Sequence, residues 1–351
     1  MRDGPASEAN PSPVSSARVS LADVARLADV SLATASRVIN GDARVGQELR
    51  DRVRAAVAEL RYVANPSAQA MKRGVAQVVS VVAADLRDPY YASITRGVMD
   101  AAHDVGLTVT LTGTQPGQDD VLDVIREIRT LSPRLIVLTA SDAHRKAVRS
   151  ALVELLAVGR AATVVVGPEG FPFPTVSFNE REAGRDLAAK LAGSGYRRPH
   201  VITGDETQPG LHQRTQGFVD GLRNADVSIP SSHLHRVGEI NRDSGYAAAA
   251  RILSLGSTPP DLIWAANDQA AIGVMAALRS HGYTPGVDVG VAGFGDGEHA
   301  LDVHPTLTTV HLPLAEAGAA AVHLGLQAQT GAISRLQGTV QMRSSTPGVA
   351  A

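Results

Sequence analysis

The sequence predicts an α/β protein in which an N-terminal helix-turn-helix headpiece precedes a two-lobed core of doubly wound parallel sheets. Three observations predict it. Two short helical patterns separated by a tight turn occupy the stretch from Ser20 to Asn40. Beyond Gly74, short apolar runs alternate with longer amphipathic stretches, as parallel strands covered by helices on both faces require. The charge divides at the same place. Residues 18–73 carry ten Lys/Arg against six Asp/Glu, whereas the chain from Gly74 onward carries 22 against 27. A small basic module thus precedes a large acidic body.

Composition bounds the rest. With 351 residues, 44% apolar and 19% charged, the chain is an ordinary globular protein of two or three domains. It has no cysteine, which excludes disulfides, zinc ribbons, iron–sulfur clusters and thiol nucleophiles. No apolar run approaches the roughly 18 residues of a membrane span. Residues 1–17 are Pro-, Ser- and Ala-rich without the apolar core of a signal peptide. They are expected to form a disordered leader on a cytoplasmic protein.

The headpiece, residues 18–64, is justified helix by helix. Ser20 caps the first helix with Asp23 three residues on, a capping-box pattern. Leu21, Val24, Ala25 and Ala28 then recur on one helical face. Asp29-Val30 breaks the period, Ser31 caps a second helix to about Asn40, and Gly41 ends it. A third helix from Gln47 to Leu60 buries Leu49, Val53, Val57 and Leu60 and turns Arg50, Arg52 and Arg54 outward. The second helix presents Leu32, Ala33, Thr34, Ser36 and Arg37 near its start, where a recognition helix touches base edges. Arg37 suits the O6 and N7 of guanine; the plain alternative is a solvated arginine on a small helical domain. Residues 65–74 follow, where Pro66 near the start and Gly74 at the end mark a helix of about two turns. So short a helix is marginal alone, and a simple linker is the alternative.

In the body, strands are expected at 78–84, 107–113, 134–140, 162–167, 200–205, 261–268 and 288–294. Helices are expected at 92–105, 119–131, 146–158, 181–194, 211–224, 244–255 and 269–281. This is too much chain for one doubly wound sheet, so two lobes are predicted, with a ligand between them at the carboxyl ends of the strands.

Several ordered motifs carry a resemblance. The run from Leu21 to Gly41, then Tyr62, Asn65-Pro66 and Ala68, resembles the headpiece of the lactose/galactose repressor family. Asp88-Pro89-Tyr90-Tyr91, Gly195-Tyr196-Arg197-Arg198, Arg214-x-x-Gly217-Phe218, Asn267-Asp268-Gln269-Ala270, Gly293-Phe294-Gly295-Asp296 and Leu307-Thr308-Thr309-Val310 extend the resemblance from Val19 to about Thr346. It implies a ligand-controlled transcription regulator, most often a repressor, that binds a pseudo-palindromic operator as a homodimer. Leu32, Ala33 and Arg37 fall where the family reads bases, and Ser31, Thr34, Ser36 and Asn40 near its other DNA contacts. Residues 65–74 match the family's hinge helix, with Asn65 and Ala68 in the DNA contact set. Met71 stands where the family wedges a Leu into the minor groove.

The same resemblance implies a core like periplasmic sugar-binding proteins, spanning 75–346 with a tail at 347–351. Its N-lobe would take 75–176 and 307–332, and its C-lobe 177–306 and 333–346. Tyr90, Tyr91, Arg214, Asn267, Asp268 and Asp296 would face a small polar effector, a sugar or related metabolite; a structural ion pair is the alternative role for Arg214. Gly167, Gly295 and Ile240 depart from residues common among sugar-binding members, which leaves the effector's identity open. No heptad repeat follows the last strand, so no coiled-coil tetramer is expected.

Other chemistry is not supported. His233-Leu234-His235 lacks partner ligands and falls in a predicted loop, so surface histidines are expected. Gly293-x-Gly295-x-Gly297 lacks the spacing of a dinucleotide fingerprint. With no catalytic pair, the reading is of a protein that is not an enzyme and needs no metal or cofactor. The alternatives on the same fold are a solute receptor, for which the leader carries no export signal, and an enzyme.

Overall fold

The computed structural model describes residues 19–42, 44–63, 75–83, 86, 88–114, 121–139, 146–158, 161–205, 208–255, 259–327 and 331–349. The expected leader and the expected hinge helix with Asn65, Ala68 and Met71 lie outside them. The chain divides into two compact units, Met1–Arg73 and Gly74–Ala351.

The first unit contains α1 (Leu21–Leu27), α2 (Leu32–Ile39) and α3 (Gln47–Glu59). The Asp23 amide donates to Ser20 Oγ at 3.3 Å and the Ser20 amide to Asp23 Oδ2 at 3.0 Å, so two orphan helix-end donors are satisfied reciprocally. Asp29, with φ 51°, makes the turn, and Ser31 Oγ accepts the Thr34 amide at 3.0 Å to start α2. Val24, Ala28, Val53 and Ala56 form the thin core, with Val57 and Leu60 partly buried against it. Two details correct the sequence reading. Ala56 rather than Leu49 completes the buried stripe. Arg52 does not simply face outward: its Nη2 donates to Ala28 O at 2.6 Å, Asp29 O at 2.8 Å and Asp29 Oδ2 at 3.0 Å. It therefore satisfies carbonyls left unpaired at the end of α1 and ties α3 to the turn.

The second unit holds two sheets. One is a six-stranded parallel sheet made of β1 (Val78–Ala83), β2 (Thr108–Gly113), β3 (Leu135–Leu138), β4 (Ala162–Val166), β5 (Thr175–Phe178) and β11 (Ile333–Leu336), in the order 2-1-3-4-5-11. The other is parallel and four-stranded, made of β6 (Pro199–Thr203), β7 (Leu234–Arg236), β8 (Leu262–Ala265) and β9 (Gly290–Ala292), with β7 and β6 preceding β8 and β9 across it. Each lobe thus repeats the 2-1-3-4 order, whose reversal point opens a crevice at the strand carboxyl ends.

Helices cover both faces of each sheet. On the first, α4 (Pro89–Asp104) and α12 (Leu314–Leu326) pack on one side against Val79, Val81, Leu135, Val137 and Val164. On its other side α5 (Val121–Thr130) and α6 (Lys146–Ala157) meet Val82, Ile136, Leu138 and Val165. Adjacent strand residues alternate between the two clusters, as the pleat demands. The second sheet lies between α7 (Glu180–Gly193) with α8 (Pro209–Asn224), and α9 (Arg242–Leu255) with α10 (Asp268–Ser280). Two antiparallel strands, β10 (Thr309–His311) and β12 (Thr339–Gln341), join the lobes, and α11 (His299–Asp302) completes the unit.

The structure moves two lobe boundaries. Ser177 and Phe178, expected in the C-lobe, complete β5 of the first sheet. Ile333–Leu336, expected in the C-lobe, pairs with Thr175–Phe178 in the first sheet, so the chain returns to the second lobe only after Leu336. Of the loop expected at His233-Leu234-His235, the last two residues belong to strand β7, and β5, β10, β11, β12, α11 and α12 are further elements that the apolar pattern did not flag. The four strands are three or four residues long. Helix α12 is too rich in Ala and Gly to show a polar face.

Candidate functional site

Two sets of residues stand out, one in each unit. In the first unit, α2 buries Ala35 completely and leaves Ser31, Leu32, Ala33 and Arg37 exposed. Leu32 is 54% exposed, so its apolar side chain is accessible at the start of the helix. Thr34, Ser36 and Asn40 are half-buried. Thr34 Oγ1 lies 2.8 Å from Ser31 Oγ, and Asn40 Nδ2 donates to Ser36 O at 2.6 Å. The residues expected to read bases therefore project freely, and those expected beside the backbone are braced.

In the second unit, a cavity of about 400 Å³ opens at the strand carboxyl ends and is lined by both lobes. All six residues expected around an effector line it: Tyr90, Tyr91, Arg214, Asn267, Asp268 and Asp296. Helices α4, α7, α8, α10 and α12 all begin at its wall. Asp88 caps α4, its Oδ1 accepting the Tyr90 amide at 2.9 Å, and the Tyr90 and Tyr91 rings lie edge to face with centroids 5.1 Å apart. Burial, and then the nearby Glu180 charge, hold the Tyr90 phenol well above its usual range, so it remains a hydrogen-bond donor.

The polar residues of the second lobe are largely engaged within the protein. Asn267 caps α10, accepting the Ala270 amide at 2.8 Å, and its Nδ2 donates to Ile240 O at 3.0 Å. Asp268 accepts from Thr309 Oγ1 at 2.6 Å and from the Gly297 amide at 3.0 Å. Its carboxyl is nevertheless raised above the usual range because burial outweighs these bonds. Gly293 and Gly295 permit this approach: a Cβ on Gly293 would sit 2.4 Å from Asp268 Oδ1, and Gly295 has φ 139°. Asp296, at φ 60°, accepts from Arg343 Nη2 at 2.6 Å, with His311 Nδ1 at 3.2 Å. Asp268 and Asp296 account for the Gly293–Asp296 and Leu307–Val310 motifs: through Thr309, His311 and Arg343 they tie the strands that cross between lobes to the cavity wall.

Arg214 forms the structural ion pair considered for it, at the cavity wall. It lines the cavity, lies 4.4 Å over the Phe294 ring, and donates to Ala266 O at 2.9 Å and to Glu180 Oε1 at 2.6 Å. Burial alone would lower its pKa, but the Glu180 charge and hydrogen bond, with Tyr90 and Asp88, outweigh that and raise it. Arg214 Nε and Glu180 Oε2 are left without a partner among the described residues. Glu180, His311 and Phe294 are cavity residues that sequence reasoning did not assign. Glu180 opens a helix directly after β5, so finding that strand would have marked it.

The expected surface histidines are not independent. His200 on β6 stacks on His233 with centroids 3.9 Å apart, and His200 Nδ1 lies 2.9 Å from His235 Nε2. All three are half-buried. No group of three or more His, Asp or Glu able to hold a metal ion is found among the described residues, and no described helix is long and apolar enough to cross a membrane.

Comparison with known proteins adds two family matches. Residues 20–65 match the model of bacterial regulatory proteins of the lacI family, and residues 188–346 match a periplasmic binding protein-like domain. The chain is similar to the HTH-type transcriptional repressor CytR of Escherichia coli, with 28% identity over 88% of this chain and 89% of the relative. Similarity to the ribose operon repressor of the same organism is 28% over 86% of this chain and 90% of the relative. Among solved structures, the lac repressor dimer bound to operator and the anti-inducer ONPF superposes with a TM-score of 0.82 at 23% identity, covering 93% of this chain and 99% of that one. At that identity the likeness is one of fold.

Proposed function

Because the chain belongs to the lacI family of bacterial regulatory proteins, we propose that this DNA-binding transcriptional regulator is a cytoplasmic repressor that binds a pseudo-palindromic operator as a homodimer. The observation that carries the reading is the exposed start of α2, where Leu32, Ala33 and Arg37 share one free face above a buried Ala35. Such a helix enters the major groove. Leu32 and Ala33 offer apolar contact, as to a thymine methyl, and Arg37 offers paired donors to guanine O6 and N7. The surplus of basic side chains in residues 18–73 supplies the phosphate contacts that dominate affinity. Asn65, Ala68 and Met71 complete the DNA contact set by family resemblance.

The cleft supplies the control. A small polar effector, a sugar or related metabolite, binds between the lobes against Tyr90, Tyr91, Arg214, Asn267, Asp268 and Asp296. It changes DNA affinity only by binding the two lobe arrangements unequally, with a coupling of about 1–3 kcal/mol. Asn267, Asp268 and Asp296 serve this coupling chiefly as positioning residues, since their side chains already hold the cavity wall and the crossing strands.

Selection of bound DNA from fragments of the whole genome by the full-length protein tests the reading. The wild type should enrich one two-fold-related sequence. Arg37→Ala should lose discrimination at one G·C pair in each half-site, about 1–3 kcal/mol per contact. Enrichment of no sequence, with and without metabolites, would reject it.

A further inference from the structure

The charge around the cavity is one-sided. Among the described residues six carboxylates line it, on Asp88, Glu180, Asp268, Asp296, Glu298 and Glu316, against a single guanidinium, Arg214, and the imidazoles of His299 and His311. That guanidinium is already matched. Arg214 and Glu180 form a salt bridge of 2.6 Å with side chains only 8% and 6% exposed. Asp296 is matched in turn by Arg343, which does not line the cavity.

Four of the five helices that begin at the wall carry an acid at their positive end. Asp88 caps α4, Glu180 opens α7, Asp268 opens α10 and Glu316 lies in the first turn of α12, where a helix N-terminus would otherwise attract an anion; α8, with no side-chain cap and no acid in its first turn, is the exception. An entering phosphate or carboxylate would therefore meet mostly like charge and, among the described residues, no guanidinium or ammonium without a carboxylate partner. An isolated buried charge without a partner is strongly disfavoured.

We propose that the cleft selects by charge: it takes an uncharged or amine-bearing polyhydroxyl ligand and refuses phosphorylated or carboxylated ones, with Glu180 as the residue that sets this specificity by neutralising Arg214. The proposal rests on the reading of the cleft as the effector site. Glu180 acts on the ligand through Arg214: with the pair intact, the guanidinium is a hydrogen-bonding surface, and without Glu180 it becomes an anion site. Glu298 and Glu316, exposed at the rim, add repulsion along the way in.

Calorimetric titration of the full-length protein with matched sets tests it: glucose, glucosamine and glucose 6-phosphate; galactose, galactosamine and galactose 6-phosphate; ribose and ribose 5-phosphate; cytidine and its 5′-monophosphate. The uncharged or amine-bearing member of a set should bind, and its phosphate should bind at least about tenfold more weakly. Glu180→Gln should narrow or invert that ratio, a change that a merely structural role for Glu180 does not produce, since loss of structure weakens every ligand alike. Should Glu180→Gln fail to fold, the rim variant Glu298→Gln/Glu316→Gln should move the ratio in the same direction. A phosphate that binds the wild type as tightly as its parent, an unchanged ratio in a folded variant, or no binder in any set overturns the proposal. Operator binding measured on the same samples separates the two readings: its loss would reject the regulator, whereas an intact operator with a preference for phosphates would reject only the charge selection.

Discussion

Asp268 and the three clustered histidines carry the sharpest consequences at the scale of single residues. Asp268 is almost fully buried, and its two oxygens take the hydroxyl of the wholly buried Thr309 and the amide of Gly297. Asp268→Ala leaves those donors unsatisfied and should cost about 1–3 kcal/mol per buried donor, read as a lower urea midpoint. Asp268→Asn, which keeps one acceptor, should fall between. His200 is held down to about 4, first by burial and then by the neighbouring charges of His233 and His235, and His235 is lowered for similar reasons. In the unfolded chain these imidazoles take up protons near 6.5. Between those values the unfolded state binds more protons, so stability is full above about pH 6.5 and falls as the pH drops toward 4. Urea midpoints at pH 7.5 and pH 5 should show that slope, and His200→Phe should flatten it; an equal slope in both proteins would contradict the assignment. The sequence showed the pair at 233 and 235 but not His200, because only the parallel pairing of β6 with β7 brings it alongside.

Among the elements, three helix pairs share one device. Cβ atoms placed on Gly217 or Gly184 would lie 2.0 Å from Arg181 O or 2.4 Å from Arg214 O where α7 crosses α8. Gly273 and Gly245 do the same between α9 and α10, and Gly97 and Gly318 between α4 and α12. Close approach, rather than backbone freedom, is what these glycines supply. The Arg214-x-x-Gly217-Phe218 motif thus has three parts: a cavity guanidinium, a helix contact, and a ring stacked 4.2 Å over the buried Trp264. Gly217→Ala should force α7 and α8 apart and cost about 1–3 kcal/mol. Since α8 carries Arg214 and α7 carries Glu180, effector affinity should fall with it, whereas Gly238→Ala, in open space, should leave both unchanged.

Elements with a strong period were legible: α1 to α3, the body helices α4 to α10, and most strands between them. The short strands at crossings were not, because β10, β11 and β12 have half-exposed or mixed patterns over three or four residues. Their places are set by partners distant in the chain. That is why the lobe boundary at 333 moved and why Glu180, just after β5, went unassigned. The six residues placed in the cleft by resemblance do line it. What the sequence concealed was their bonding, since an N-cap or a buried ion pair is defined by groups that only the fold brings near.

At the scale of the whole molecule, the split of charge matches a split of task. The basic residues are concentrated in the small unit with the exposed α2, and the acidic excess lies in the large unit, six of its carboxylates around one cavity. Repeated 2-1-3-4 strand orders place two crevices mouth to mouth, with β10 and β12 as the connection. Arg343, Asp296 and His311 join that connection to the cavity wall. A ligand that favours one arrangement of the lobes therefore acts directly on the strands between them.

If the first unit delivers DNA binding, fluorescence anisotropy across a salt series will show it. Full-length protein and a Gly74–Ala351 fragment would be titrated onto DNA selected by the full-length chain. The full-length protein should bind tightly with a steep fall in affinity as salt rises, and the fragment should show no sequence-specific binding. Equal binding by the fragment, or affinity indifferent to salt, would contradict DNA binding through the first unit.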